Sequence, residues 1–300
     1  MSNHSIHRGI VVGVDGSPSS DMAVRWAARE AGMRNVPLSL VHVVERPPWG
    51  LVSLGGGAVP PASETSEWRK AEGEEIISAA VELAKDSVQN GTLSQLDVEV
   101  YFSATGPALF DLSTQAQLIV VGCRGHGRVD RVLLGSVSTG LIHHARCPVA
   151  VIHDEIPLAS QPSQLPVVVG IDGSPASESA TAIAFDEASF RGVELVALHA
   201  WSDAHVSDIP SIEWSAQQAV GEEALAERLA GWRERYPDVT VRRRIVLDAP
   251  APHLLEEAES SQLLIVGSHG RGGFSGMLLG SVSMAVAQAA RVPVIVARQQ

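Results

Sequence analysis

Ile10-Val11-Val12-Gly13-Val14-Asp15-Gly16-Ser17-Pro18 recurs 157 positions later as Val167-Val168-Val169-Gly170-Ile171-Asp172-Gly173-Ser174-Pro175. An uninterrupted apolar run that ends in Asp-Gly-Ser-Pro reads as a buried strand and a tight turn. Its recurrence makes the chain a duplication, so one copy is the unit to interpret. Three further matches carry the repeat onward. Leu40-Val41-His42 returns as Ala197-Leu198-His199, and Leu118-Ile119-Val120-Val121-Gly122 as Leu263-Leu264-Ile265-Val266-Gly267. Arg146-Cys147-Pro148-Val149 returns as Arg291-Val292-Pro293-Val294. The offset has by then fallen from 157 to 145, so the first copy carries 12 more residues. The stretch Arg46–Ser63, rich in Pro and Gly, is their expected place, as a loop. The expected division is a first domain over 1–153, a linker over 154–166 and a second domain over 167–300.

Strands alternate with helical patterns within a copy. In the first copy strands are expected at Ile10–Val14, Pro37–Val44, Leu96–Phe102, Leu118–Gly122 and Val149–His153. Helices are expected at Ser19–Gly32, Glu67–Gln89, Pro107–Gln115 and Ser136–Ala145. That rhythm predicts a doubly wound α/β domain, a five-stranded parallel sheet with helices on both faces. Ligands of such sheets sit beyond the carboxyl ends of the strands, where the winding reverses.

Composition narrows the function. The formal net charge is −12 and only 4% of residues are aromatic. So acidic a chain is a poor general binder of nucleic acid or of anionic membrane. The dense basic run Arg242-Arg243-Arg244 reads as a solvated strand face. Two cysteines, Cys123 and Cys147, give no disulfide framework. No stretch has the length and apolarity of a membrane span. The N-terminus lacks a signal-like apolar segment, and a cytoplasmic location is expected.

Chemistry concentrates in Gly122-x2-Gly125-x9-Gly135-Ser136 and its copy Gly267-x2-Gly270-x9-Gly280-Ser281. Glycine lets backbone amides turn tightly and approach an anion. Gly135-Ser136 and Gly280-Ser281 open the next helix, whose N-terminus supplies N–H groups and a positive dipole end. The hydroxyls of Ser136, Ser138, Ser281 and Ser283 are expected to donate to phosphate oxygens. Local amides thereby answer the unfavourable net charge. Asp15 and Asp172, each after a first strand, suit a ribose hydroxyl or an adenine amino group, against the plainer reading of an Asx turn. Val41 and Leu198 have the position to pack on a base, although such residues are more often core. Arg128 and Arg271 lie in the loops within reach of phosphates. His42 and His199 read as buried histidines at a strand end rather than catalysts. His126 and His269 are not equivalent in position, which argues against a shared catalytic role, and no catalytic residue or metal ligand is assigned. The chain has no G-x-x-x-x-G-K-[ST] loop, and its lysines are Lys70 and Lys85. It also lacks G-x-G-x-x-G after the first strand, H-E-x-x-H, G-x-S-x-G and zinc-type Cys/His spacing.

The Asp-Gly-Ser opening, the G-x2-G-x9-G-S loop and the closing Pro-Val-x-Val strand resemble the universal stress protein family, twice over. The layout is similar to tandem-domain members of mycobacterial type. The resemblance implies strand order 3-2-1-4-5 in each domain and one ATP per domain, carried with Mg2+. It implies contacts from Asp15, Gly122, Gly125, Gly135, Ser136, Val137 and Ser138. In the second copy the same roles fall to Asp172, Gly267, Gly270, Gly280, Ser281, Val282 and Ser283. Gly13 and Gly170 complete the expected sites. A homodimer, association through the last strand, and a regulatory protein partner are also implied. The expected function is an ATP-binding regulator of stress response or growth state. The competing expectation is a slow ATPase or a phosphoryl or nucleotidyl transferase using the same sites.

Overall fold

Apolar β-branched runs form the inner strands because helices cover both faces of the sheet there, while the edge strands Leu96–Tyr101 and Val241–Leu247 are only partly buried and carry charged residues. The computed structural model describes residues 8–45, 62–88, 93–125, 134–153, 164–201, 211–270 and 279–298. In the first half the order is β1 (Ile10–Val14), α1 (Pro18–Arg34), β2 (Leu38–Val43), α2 (Ala62–Ser87), β3 (Leu96–Tyr101), α3 (Thr105–Leu112), β4 (Leu118–Gly122), α4 (Ser136–His144) and β5 (Val149–Ile152). The second half repeats it as β6 (Val167–Gly170), α5 (Pro175–Arg191), β7 (Leu195–Trp201), α6 (Ser211–Arg235), β8 (Val241–Leu247), α7 (Pro250–Ala258), β9 (Leu263–Gly267), α8 (Ser281–Ala289) and β10 (Val294–Ala297). The expected elements are all present, with boundaries shifted by a few residues. Most of the insert and linker, 46–61 and 154–163, lies outside the described residues.

The strand order is β3-β2-β1-β4-β5-β10-β9-β6-β7-β8. Each half has the 3-2-1-4-5 order, and pairing within each half is parallel. The halves fuse where β5 meets β10 antiparallel, in the register Val151↔Val294, Ala150↔Ile295 and Val149↔Val296. Association through the last strand is thus made inside one chain. Because that pair is antiparallel, the carboxyl ends of the two sets of strands face opposite edges of one ten-stranded sheet.

Two apolar layers run unbroken across the fusion. One joins Ala23, Ala27 and Ala31 of α1 with Ala180, Ala184 and Ala188 of α5. The other joins Leu109, Leu141 and Ile142 with Leu254, Val286 and Ala287 on the opposite face. The alanines let α1 and α5 approach the sheet closely. Their C-terminal turns meet across the fusion in an ion quartet. Arg34 pairs with Glu187 and Arg191 pairs with Glu30, while each arginine also pairs with the glutamate one turn earlier in its own helix. Both glutamates are buried, Glu187 completely. Charges so placed need their partners to be tolerated.

Arg242 and Arg244 on β8 pair with Glu194, Glu256 and Glu257. The basic run is a strand face matched by neighbouring carboxylates.

Candidate functional site at the carboxyl ends of the strands

Strands β1 and β4 are hydrogen-bonded neighbours, so the turn after β1 and the loop after β4 open on the same edge. The turn is an Asx turn: Ser17 N–H donates to Asp15 Oδ1 at 2.9 Å, and Gly16 has φ of +78°, which favours glycine. Asp172 repeats this with Ser174 N–H at 2.9 Å, and Gly173 also has φ of +78°. The second carboxylate oxygen faces the glycine loop. A Cβ on Gly125 would lie 2.5 Å from Asp15 Oδ2, and one on Gly270 2.6 Å from Asp172 Oδ2. The Asx turn of the plainer reading is thus present, and the other carboxylate oxygen is turned toward the glycine loop.

Backbone bonds shut the neck of that loop. Gly135 N–H donates to Cys123 O at 2.8 Å, and Gly280 N–H to Ser268 O at 2.7 Å. Helix α4 starts at this neck with Gly135 as N-cap, and α8 with Gly280; no side chain caps either N-terminus. Helices α1 and α5 differ, because Ser17 accepts from Ser20 N–H and Ser174 from Ser177 N–H. The fold thus spends a serine on the helices whose N-termini are structural. It presents the bare dipole ends of α4 and α8 beside Asp15 and Asp172. Arginines 128 and 271 and His126 lie outside the described residues.

The glycines divide by what they face. A Cβ at Gly122 would sit 2.7 Å from the Ser19 backbone carbon, and one at Gly267 2.7 Å from that of Ala176. These two glycines let α1 and α5 cross the ends of β4 and β9, a packing demand independent of any ligand. Gly13 and Gly170 pack beneath Leu109 and Leu254, with Cβ distances of 3.4 Å and 3.1 Å. At Gly135 the nearest atoms to a Cβ are 3.5 Å away, φ is −62°, and Gly280 meets nothing closer than 3.4 Å. The chain itself asks for no glycine at 135 or 280, and a close-approaching ligand would.

Other expected residues fall into supporting roles. Ser138 Oγ donates to Gly122 O at 2.7 Å, and Ser283 Oγ donates to Gly267 O. These hydroxyl protons fasten the helix to its strand, which leaves backbone amides as what Ser138 and Ser283 offer an anion. Val41 and Leu198 are 1% exposed and belong to the core. His42 Nδ1–H donates to Val14 O at 2.7 Å and His199 Nδ1–H to Ile171 O at 2.6 Å. Each buried imidazole pins the second strand to the residue before the aspartate, as the bland reading expects. Both thiols are buried, and burial pushes the Cys147 thiol up to about 12.

Sequence reading passed over the serines that tie the turn to the loop. Ser17 Oγ donates to Arg124 O at 3.3 Å, joined there by Ser19 Oγ, and Ser174 Oγ donates to His269 O at 3.0 Å. Ser20 and Ser177 hydroxyls accept from Asp15 N–H and Asp172 N–H, each at 3.1 Å. Their signal was the Ser-Pro-x-Ser spacing shared by both copies. The copies also differ. The Gly16 turn is covered by Ile76, whereas the Arg228 guanidinium lies over Gly173.

The model of the Universal stress protein family matches residues 7–153 and again 165–298. The chain belongs to the universal stress protein family. A universal stress protein of Mycobacterium tuberculosis strain H37Rv is 52% identical over 300 residues, with 100% of both chains covered. One from Mycolicibacterium smegmatis is 50% identical, with 99% of both covered. Among solved structures, a universal stress protein from Archaeoglobus fulgidus superposes with a TM-score of 0.69 at 20% identity, covering 98% of this chain and 99% of its own. That last likeness concerns the fold. The family's strand order and tandem domains are those seen here. Among the described residues, no helix is long and apolar enough to cross a membrane.

Proposed function

We propose that each half, 1–153 and 167–300, binds one ATP in the crevice between its first and fourth strands. The observation that carries this reading is the pairing of a bare helix N-terminus with an aspartate on the same strand edge, built twice. Glycines at 135 and 280, which the chain's own packing does not require, support it. In the first site, amides of Ser136, Val137 and Ser138 hold phosphate oxygens, Gly125 and Gly135 allow close approach, and Asp15 faces the nucleoside. Ser281, Val282, Ser283, Gly270, Gly280 and Asp172 act likewise in the second. Among the described residues, no group of three His, Cys, Asp or Glu side chains comes together as a metal site. In this reading Mg2+ enters on the phosphates.

The function is regulatory: nucleotide occupancy sets the conformation or partner choice of a cytoplasmic protein under stress. His42 and His199, near the ends of β2 and β7, have their Nδ1 protons engaged with backbone carbonyls, which supports a structural role for these two over general-base catalysis. With β5 and β10 joined inside the chain, a homodimer uses a surface other than the last strand.

Equilibrium dialysis against MgATP, with MgGTP and inorganic phosphate in parallel, tests the reading. Retention of ATP that falls about tenfold or more in Asp15→Asn/Asp172→Asn supports it, the loss expected for charge-assisted hydrogen bonds. Equal retention of all three ligands, or none, contradicts it. Phosphate release well above that of Gly135→Ala/Gly280→Ala would favour the transferase or ATPase alternative.

A further inference from the structure

The phosphate-facing helix of the first domain is held at its other end by the second. Arg298, directly after β10, donates from its guanidinium to the carbonyls of Ile142 and His143 at 2.8 Å and of Ala145 at 3.0 Å. These carbonyls belong to the last turn and C-cap of α4. The guanidinium is buried enough for desolvation to lower its pKa, though an arginine stays charged in proteins. Helix α4 has nine residues, so its ends lie about 13 Å apart. Its N-terminus is the bare dipole end beside Asp15.

A cation bonded to the last carbonyls neutralises the negative end of the helix dipole. The positive end is then less opposed, and the last turn is held from fraying. The second domain's field does reach this place. The His143 imidazole is depressed by desolvation first, then by His144, Arg298 and His269. The arrangement is not reciprocal. At the 145-residue offset the first domain has His153 where the second has Arg298. An imidazole has at most two N–H groups, so it cannot make a three-carbonyl clamp.

We infer that Arg298 is a positioning residue through which the second domain sets the affinity of the first domain's phosphate site. This rests on the nucleotide reading above. In this inference Arg298 acts through the orientation and field of α4, from the end opposite the phosphate site.

The experiment is calorimetric titration of the full chain carrying Gly280→Ala, so that the first site alone reports. MgATP and adenosine are titrated in turn, adenosine by competition. In that background Arg298→Gln should weaken MgATP by about two- to fivefold, the range of a cation at a helix C-terminus. Adenosine, which lacks phosphate, should bind unchanged. Arg298→Lys, which keeps the charge without the fork, should recover part of the loss and serves as the second variant if Arg298→Gln does not fold. MgATP affinity unchanged in the variants overturns the inference. So does equal weakening of MgATP and adenosine, the mark of a merely structural role. Absence of MgATP binding before Arg298 is altered overturns the nucleotide reading itself, and the inference with it.

Discussion

Two glycines of the same motif should respond to alanine in opposite ways. At Gly122 the added Cβ would meet the Ser19 backbone carbon and Oγ at 2.7 Å and the Ser19 carbonyl at 2.9 Å. Backbone cannot swing aside like a flexible side chain, so α1 must lift from β4. Inserting one methyl into a packed core costs about 1–3 kcal/mol. With a urea slope of roughly 2 kcal/mol per molar, the midpoint falls by ~0.5–1.5 M. At Gly135 the nearest atoms are 3.5 Å away and φ is −62°, so alanine fits. Loss of glycine's small N-cap advantage costs no more than about 1 kcal/mol. Nucleotide affinity should follow the opposite order. Gly135→Ala places a methyl where phosphate approaches and should abolish binding at the first site with stability nearly intact. The assay is urea unfolding followed by far-UV circular dichroism, beside MgATP titration of the same samples. A Gly122→Ala chain as stable as the parent, or a Gly135→Ala chain that binds MgATP normally, would refute the reasoning.

Other predictions use different parts of the structure. Asp15→Asn keeps an oxygen for the Asx turn but loses the charge, so stability should hold while MgATP at the first site weakens by roughly tenfold; calorimetry reads the loss, and unchanged affinity removes Asp15 from the site. Arg34→Ala strips one partner from Glu187, a fully buried carboxylate, and should cost about 3 kcal/mol with little dependence on salt; a surface-like loss below about 1 kcal/mol would show the quartet to be solvated. The Cys147 thiol, held up to about 12, is protonated in the folded chain while the unfolded thiol ionises near its ordinary value. Its contribution is therefore intact below about pH 8.5 and is lost toward pH 12, at up to ~1.4 kcal/mol per pH unit. Neither cysteine should react with a thiol reagent near neutral pH until denaturant is added, and rapid labelling of the native chain would contradict the burial.

Element positions were legible because both copies carry strong, separate signals, whereas the strand order followed only from the family resemblance. Ile10–Val14 and Leu118–Gly122 are apolar runs closed by Gly or Asp-Gly, and the repeat checks each assignment against its copy. That α4 and α8 open on the glycine loops was legible for the same reason. Their lack of a side-chain cap was not, since Ser136 and Ser281 read equally well as ordinary N-caps and only the structure puts Gly135 and Gly280 there. The division of labour among glycines was not legible either. Gly122 and Gly135 look alike in sequence, and only the crossing of α1 over β4 tells a packing glycine from an unburdened one. Ser138 was similarly ambiguous, because a hydroxyl one turn into a helix serves a phosphate or a carbonyl according to what lies behind it. The fusion through β5 and β10 left no mark on either strand alone. A four-residue apolar run reads the same whether its outer edge meets solvent, another chain or its own repeat. The Glu30–Arg34 and Glu187–Arg191 pairs did recur at the 157 offset, yet ordinary i,i+4 surface pairs would look identical.

Calorimetric titration of the full chain with MgATP tests the central claim most directly. Saturation at about two ATP per chain is expected, falling to about one in Gly135→Ala and in Gly280→Ala alike, and to none in the double variant, since each N-terminus serves one nucleotide. Binding that keeps its stoichiometry in the double variant, or a parent chain that takes up no ATP, would contradict the account.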